Sequence, residues 1–532
     1  MVGGHDCADS LCVSACNCHL PHIFLLSPAR WFRMAITHYS NYSFMRKTYL
    51  YITLIISLLA SFVTASPRLT VVAVVDGLTS ENLALLRPFW QLGGLRTLSE
   101  ESFQTTISYP HLVYGGNETT ATLMTGVTPD RHGYTMDTYF ARRDRKLHTM
   151  LEDESVQGIG TKIHLSPKAL LSQTITDRMR LIYPNAKIYA IGIQPETTVL
   201  LAGHAANACC WLDAANQQWV ATAAYSEGLP EAAYNQNTSG RIETLAARMW
   251  LPRMEIPAYT YPTLQERKKG FSYEVKEVLT HAPEANTLVV ELALAIQQAE
   301  KLGTDATPDL LMLQLNSLSP AAKSDRIASA EHEDLYLRLN QDLGYLMSQL
   351  DKRIGKANYQ VLVVGRPVLG IAPQTLTDIH MPVQQFNVDR AAALTGTYLM
   401  ALYGHERWVD GGYGQSIYLN RTLIEQKRMS LETIQRQVAN FLMDFEGVQI
   451  AMPGHEAMQY PLLGSTLCKK HIGDVVFMLQ PGWQLMRDDK RAIDKVIEDS
   501  PISPLLFWSG TLRSMPQGTL DATDVLSLII NQ

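Results

Sequence analysis

Cysteine is scarce where it could staple a fold. Of the seven in 532 residues, four crowd into Cys7, Cys12, Cys16 and Cys18, leaving Cys209, Cys210 and Cys468 for everything after them. Three is an odd count and two of the three are adjacent, so a disulfide framework is not what keeps this chain folded. An excess of one charge is lacking too: 45 Lys and Arg stand against 51 Asp and Glu, a formal net charge of −6. That balance excludes the basic footprint of a nucleic-acid binder, and no block of like charges marks a polybasic membrane patch or an acidic tail. Repeats and low-complexity tracts are absent as well. What is present is length and apolar residues enough for a large core.

Met45-Arg-Lys, the apolar run Tyr49 to Val63, and Thr64-Ala65 before Ser66-Pro67 have the three parts of a secretory signal. The run is short of the roughly 20 residues that span a bilayer, although a single anchor is the competing reading. The expectation is an exported protein, periplasmic, extracellular or associated with the cell envelope, with no membrane span once residues 45–65 are cleaved. Residues 1–44 carry no periodic pattern. Their cysteines, with His5, His19 and His22, resemble a metal cluster, but a position ahead of a signal favours an over-extended start, with Met45 the better initiator.

From Ser66 onward, apolar strands alternate with amphipathic helices, which predicts one α/β domain over 66–532 with a mostly parallel central sheet flanked by helices. Leu69 to Val75, Lys187 to Ile193, Asp309 to Leu315 and Tyr359 to Val364 read as buried strands. Ser80 to Arg87, Ser172 to Ile182, Thr287 to Leu302 and Glu333 to Ile354 read as helices. The last carries one apolar stripe through Leu335, Leu339, Leu343, Met347, Leu350 and Ile354, with Gly355 placed to end it. Segments of about 205–285 and 405–490 are richer in aromatic and polar residues and read as cap insertions. Ligands of such sheets gather at the carboxyl edge of the strands. Asp76 closes the first strand there and reads equally well as a metal ligand or a structural carboxylate.

Several segments, in order, resemble one family. They are Asp76-Gly-Leu, Thr125-Gly-Val-Thr-Pro-Asp-Arg-His132-Gly133, Ser166-Pro-Lys-Ala-Leu-Leu-Ser, Gly203-His-Ala-Ala-Asn-Ala-Cys-Cys-Trp211, Asp334-Leu-Tyr-Leu-Arg-Leu, Gly355-Lys-Ala-Asn-Tyr359, Tyr418-Leu-Asn and Pro504-Leu-Leu-Phe. The chain is similar to the phosphate-irrepressible alkaline phosphatase and nucleotide pyrophosphatase/phosphodiesterase branch of the alkaline phosphatase superfamily. The resemblance implies two zinc ions held by Asp and His, and a Thr or Ser nucleophile whose pKa the metals lower.

Carried over position by position, the resemblance finds that machinery mostly missing. Asp76 matches the first ligand. The nucleophile position falls on Gly116, and neighbouring Thr119 or Thr120 could replace it only if the loop has shifted. The next Asp and His fall on Ser319 and Lys323, where the positive charge of lysine opposes a metal cation, the Asp-His-Gly motif on Arg366-Pro367-Val368, and the last His on Ile502. Phosphate contacts fall on Asp137, Glu196 and Thr198, where added negative charge would repel a phosphate dianion. His132 and His204 belong to segments kept for structure. His111, His164, His380, His405, His455 and His471 show no ligand spacing. Asn117, Asn237 and Asn420 each open a glycosylation sequon.

The function expected is a pseudoenzyme that binds or scaffolds, with no catalytic residue and no cofactor, Asp76 being the one retained and unfilled ligand. Asp76, Asn117, Asp137 and Glu196 are the candidate binding residues. The partner is expected to be a protein or a glycan rather than nucleic acid. The alternative is a divergent phosphomonoesterase, phosphodiesterase or sulfatase with an altered zinc site. A structural role in a cell-envelope assembly is a third.

Overall fold

The computed structural model describes residues 67–260, 270–370, 377, 380–381, 383–488, 502–510 and 518–530. The expectations for residues 1–44 and 45–65 lie outside the described residues. Ten strands form the central sheet: β1 Leu69–Asp76, β2 Phe103–Ser108, β3 Gly158–Ile159, β4 Ile188–Gly192, β5 Ala208–Asp213, β6 Gln218–Thr222, β7 Asp309–Asn316, β8 Tyr359–Arg366, β9 Ile502–Ser509 and β10 Leu520–Asp521. Their spatial order is β10-β2-β9-β8-β1-β7-β4-β5-β6-β3.

The middle of the sheet, from β8 through β1, β7 and β4 to β5, is parallel. All eight residues of β1 are buried, as its continuous β-branched run requires of a strand covered on both faces. Outside that middle, β9 runs antiparallel to both β8 and β2, and β6 antiparallel to β5, while β10 at the edge is parallel to β2. The sheet is therefore mixed rather than parallel throughout.

Predicted helices are present with shifted ends, three of the starts being set by a side-chain cap and that of Pro283–Glu300 by a proline in its first turn. The first is Ser80–Leu86, capped by Thr79 rather than Ser80. Thr174 and Asp177 form a reciprocal capping box that delays the next helix to Ile175–Ile182. The pair α3 and α4, spanning Pro283–Glu300 and Ala330–Arg353, covers one face of the sheet, and Ser329 caps the latter. The predicted stripe of α4 is buried against that face from Leu335 to Leu350, while Ile354, just past the helix end, is half-buried. Where α4 crosses the helix Gly94–Glu101, a Cβ on either Gly94 or Gly344 would strike the other's backbone, so both positions need glycine. Shorter helices, α1 Asn117–Thr125 and α2 Pro195–Ala202, pack on the opposite face.

One expected cap is not a cap at its start. Ala208 to Thr222 supplies β5 and β6, because the run Ala208-Cys-Cys-Trp-Leu is apolar enough to be buried beside β4. The other expected insertion is a subdomain with its own core. It holds four antiparallel strands in the order Val409–Tyr413, Ser416–Leu419, Val475–Leu479, Val448–Pro453, backed by helices Val388–Tyr403 and Leu431–Leu442. It begins earlier than expected, since Gln384–Asn387 pairs with Trp483–Met486.

Candidate functional site

Parallel register brings three strand ends level: Asp76 of β1 lies opposite Asn316 of β7 on one side and Arg366 of β8 on the other. Asp76 is 1% exposed and Arg366 2%. The guanidinium grips the carboxylate at two points, Nε to Oδ1 at 2.6 Å and Nη2 to Oδ2 at 2.7 Å. Gln314, one turn of the pleat back on β7, donates from Nε2 to Asp76 Oδ2 at 2.8 Å. Its own carbonyl oxygen accepts the backbone N–H groups of Ile193 at 2.5 Å and Gln194 at 2.9 Å, tying β7 to the start of α2.

The remaining donors of Arg366 reach outward, Nη1 to Asn117 Oδ1 and Nη2 to Gln194 Oε1 at 3.2 Å. Asn117 is a hub. Its oxygen also accepts from Thr197 Oγ1 at 2.7 Å, and its amide nitrogen donates to Asp137 Oδ1 at 2.8 Å. Tyr134, fully buried, donates to that same oxygen at 2.6 Å. Burial would lower the Arg366 pKa, but Asp76, with Asp137 and Glu118 beyond it, holds the guanidinium above its ordinary value.

Gly116 sits at φ +93°, and a Cβ there would run into the Pro367 carbonyl oxygen. Backbone and neighbour both demand glycine at the turn that enters α1. Glu118 clamps this turn by accepting the N–H groups of Tyr114 and Gly115, while burial pushes its carboxyl up to about 6. Burial also raises Glu196, with Asp137 adding to the effect and Arg366 opposing it.

Of the candidate residues, the structure joins Asp76, Asn117 and Asp137 in one hydrogen-bonded network with Arg366, and places half-buried Glu196 in its field. The other positions do not join it. Lys323 is exposed, so the cation at this centre comes from Arg366 instead. Ser319 is buried, and its hydroxyl has no hydrogen-bond partner among the described residues. Ile502, 59% exposed, opens β9, and Thr198 donates to the Gln194 carbonyl within α2. Thr119 and Thr120 are buried in α1, the Thr119 hydroxyl donating to Gly116 O. Asn117 is buried, which removes it as a glycosylation acceptor.

Sequence reasoning missed Gln314, Gln194 and Thr197. A signal existed for the first, a lone glutamine inside the apolar run Leu310 to Leu315. Asp325 was missed too; it accepts the N–H groups of Val368 and Leu369 at 3.1 and 2.9 Å, and burial pushes it up to about 7. The structural reading of His132 and His204 is supported. Thr122 Oγ1 lies 2.9 Å from His111 Nε2 and 3.1 Å from His132 Nε2, a buried relay in which the hydroxyl serves as donor to one ring and acceptor from the other. Burial holds both rings far below the usual histidine pKa, with the neighbouring ring adding for His132. His204 pairs with Asp177 at 2.8 Å. Among the described residues, no three His, Cys, Asp or Glu side chains converge on a point where a metal ion could sit.

The model of the type I phosphodiesterase / nucleotide pyrophosphatase family matches residues 70–500. The chain belongs to that family. It thus lies within the alkaline phosphatase superfamily, as the sequence segments implied. It is 25% identical over 465 residues to a protein named calcium-transporting ATPase of Myroides odoratus, covering 80% of this chain and 84% of the relative. To alkaline phosphatase PafA of Elizabethkingia meningoseptica it is 24% identical over 398 residues, 70% of this chain and 72% of PafA. The crystal structure of wild-type PafA superposes with a TM-score of 0.75 at 20% identity, covering 88% of this chain and 96% of that one, which establishes the shared fold.

Proposed function

We propose that this protein is an exported, non-catalytic member of its family, kept for binding or scaffolding. The observation that carries the reading is the bidentate pair between Arg366 and Asp76. A zinc ion needs at least three protein ligands with free lone pairs. Asp76 offers two oxygens, and Arg366 and Gln314 already engage both. A protonated guanidinium has no lone pair to give and repels a cation. The donor set present at the aligned positions therefore does not fit zinc.

Gly116 supports the same reading from the side of the nucleophile. It lacks a hydroxyl, and its φ and its contact with Pro367 resist replacement by a residue that has one. Asp76 presents no net charge to attract a cationic ligand, because Arg366 neutralises it. What remains at the surface of the network is acidic, Asp137 and Glu196, which disfavours phosphate esters.

The experiment equilibrates the full chain with zinc, dialyses it, counts metal by mass spectrometry and assays nitrophenyl phosphate, bis-nitrophenyl phosphate and nitrophenyl sulfate. The expected result is sub-stoichiometric metal and no turnover. About two zinc ions per chain, the number used by two-metal sites, together with ester cleavage, would replace this reading with the divergent hydrolase.

A further inference from the structure

Helix α5, Val388–Tyr403, backs the sheet of the antiparallel subdomain through Val388, Ala391, Thr395 and Leu399, all buried. A helix that meets water on its other side normally carries charge there. This one does not. Asp389 and Arg390, in its first turn, are its only charged residues, and none follows from Ala391 to Gly404. Along the exposed face, Arg390, Ala393, Leu394, Thr397 and Ala401 recur at three- and four-residue spacing, with Leu394 53% exposed.

Helix α6, Leu431–Leu442, in the same subdomain, shows what a solvated face looks like here. Glu432, Thr433, Arg436 and Asn440 are exposed on it, and Arg436 reaches Glu432 at 3.3 Å and Glu456 at 2.7 Å. A helix that is uncharged all round is normally covered all round, whereas α5 is covered on one side only.

The order of residues along the exposed face favours a second copy of the same chain. The stripe opens on Arg390 and is followed, just beyond the helix end, by exposed Glu406. Ala393, Thr397 and Ala401 are small enough to admit another helix closely, with Leu394 the one large side chain between them. Laid antiparallel on itself about a two-fold axis beside Thr397, the helix sets Leu394 opposite Ala401 of the copy, and Ala401 opposite the copy's leucine. Large meets small on both sides, which is the self-complementarity a two-fold interface requires. The same axis brings Arg390 of each chain to the Glu406 end of the other. Arg390 has no carboxylate partner among the described residues. Glu406 pairs with Lys427 at 2.8 Å, but both side chains are nearly half-exposed, and such a pair holds its partners weakly.

We propose that this face is the interface of a reversible homodimer. In it α5 packs antiparallel on α5 of a second copy, with Leu394 and Ala401 near the centre and an Arg390–Glu406 pair at each end. A helix of this length is roughly 24 Å long and about 10 Å wide with its side chains. That strip is well below the roughly 800 Å² per partner of a standard interface, so the dimer dissociates in the micromolar range. The proposal is independent of catalysis, because α5 lies outside the network around Asp76.

Sedimentation equilibrium on the full chain tests it. Monomer should convert to dimer as the concentration rises through the micromolar range. Leu394→Glu should abolish the dimer with circular dichroism unchanged, since the side chain is exposed in the monomer. Arg390→Glu and Glu406→Arg should each weaken association about tenfold, because like charges then meet at both ends. The variant carrying both exchanges should regain the dimer. A chain that stays monomeric throughout overturns the proposal, and if that monomer floats with phosphatidylcholine vesicles the face meets lipid instead. A dimer that survives Leu394→Glu, or charge variants that the double exchange does not rescue, overturns it as well.

Discussion

At the carboxyl edge of the sheet, Asp76 and Arg366 are 1% and 2% exposed and satisfy each other. Beside the Gly115-Gly116 turn, Tyr114 and Met136 line a cleft whose walls carry no Lys, Arg, Asp or Glu and hold one acceptor, Gln415 Oε1, without a donor among the described residues. The first region is rich in charge and closed; the second is accessible and neutral. Family membership directs attention to the first, yet its central carboxylate and guanidinium are spent on each other. An unpaired buried charge is too costly to keep. Arg366 supplies the internal partner for Asp76 and makes the pair part of the core. The cleft, with nothing to neutralise, keeps its surface available.

Substitutions should therefore be expensive in stability at the edge and cheap in the cleft. Arg366→Leu should have the largest effect, destabilising by about 3–5 kcal/mol in chemical denaturation, because it strands Asp76. The double variant Asp76→Leu with Arg366→Leu should recover part of that loss. A single Arg366→Leu as stable as wild type would mean that the pair does not hold the edge together. Gly116→Thr, which restores a hydroxyl at the nucleophile position, should cost about 2 kcal/mol or more from backbone strain alone, and should gain no ester hydrolysis.

A pH measurement sharpens the contrast further. Burial raises Asp325 from its ordinary 3.8 to about 7, with Asp76 adding and the Leu369 and Val368 amides and Arg366 opposing. An acid whose folded pKa is raised contributes stability that is complete below pH 3.8 and is lost as pH climbs through about 7. Wild type should thus gain stability relative to Asp325→Asn as pH falls across that window. Buried His111, pushed down to about 4, acts in the opposite sense in both proteins, so the difference between them is the quantity to follow. A flat difference would contradict the burial of Asp325. The smallest effect belongs to the cleft: Gln415→Leu should change stability by no more than about 0.5 kcal/mol. A large loss there would make Gln415 a structural residue and erase the distinction between the two regions.

Much of the sheet was legible in advance because strand signals are local. The run Leu69 to Val75 is β-branched and unbroken, so it can only be a strand covered on both faces. The stripe of α4 was equally plain. The direction of β9 was not legible, because a strand's residues do not record which neighbour it meets. The role of Ala208 to Thr222 was misread as a cap for the same reason. At the centre, the absence of a side chain on Gly116 and the placement of Arg366 after β8 were visible in the residues themselves. Lys323, which looked like the opposing cation, was not, since a lysine's sequence position does not say whether it faces the site or water.

By itself, the sequence determined the family, the α/β alternation, the one carboxylate after β1 and the residues that stand where ligands would. These follow from residue identity and local period. Only the tertiary structure decided that Asp76 and Arg366 come level and pair, that Asn117 links them to Asp137, and that a neutral cleft remains beside them. Those outcomes depend on the register of β1 and β8, 290 residues apart in the chain, and on how the antiparallel subdomain is seated against the core. Both are set by the packing of the whole sheet and its helices, where each contact is made by residues that local sequence cannot see.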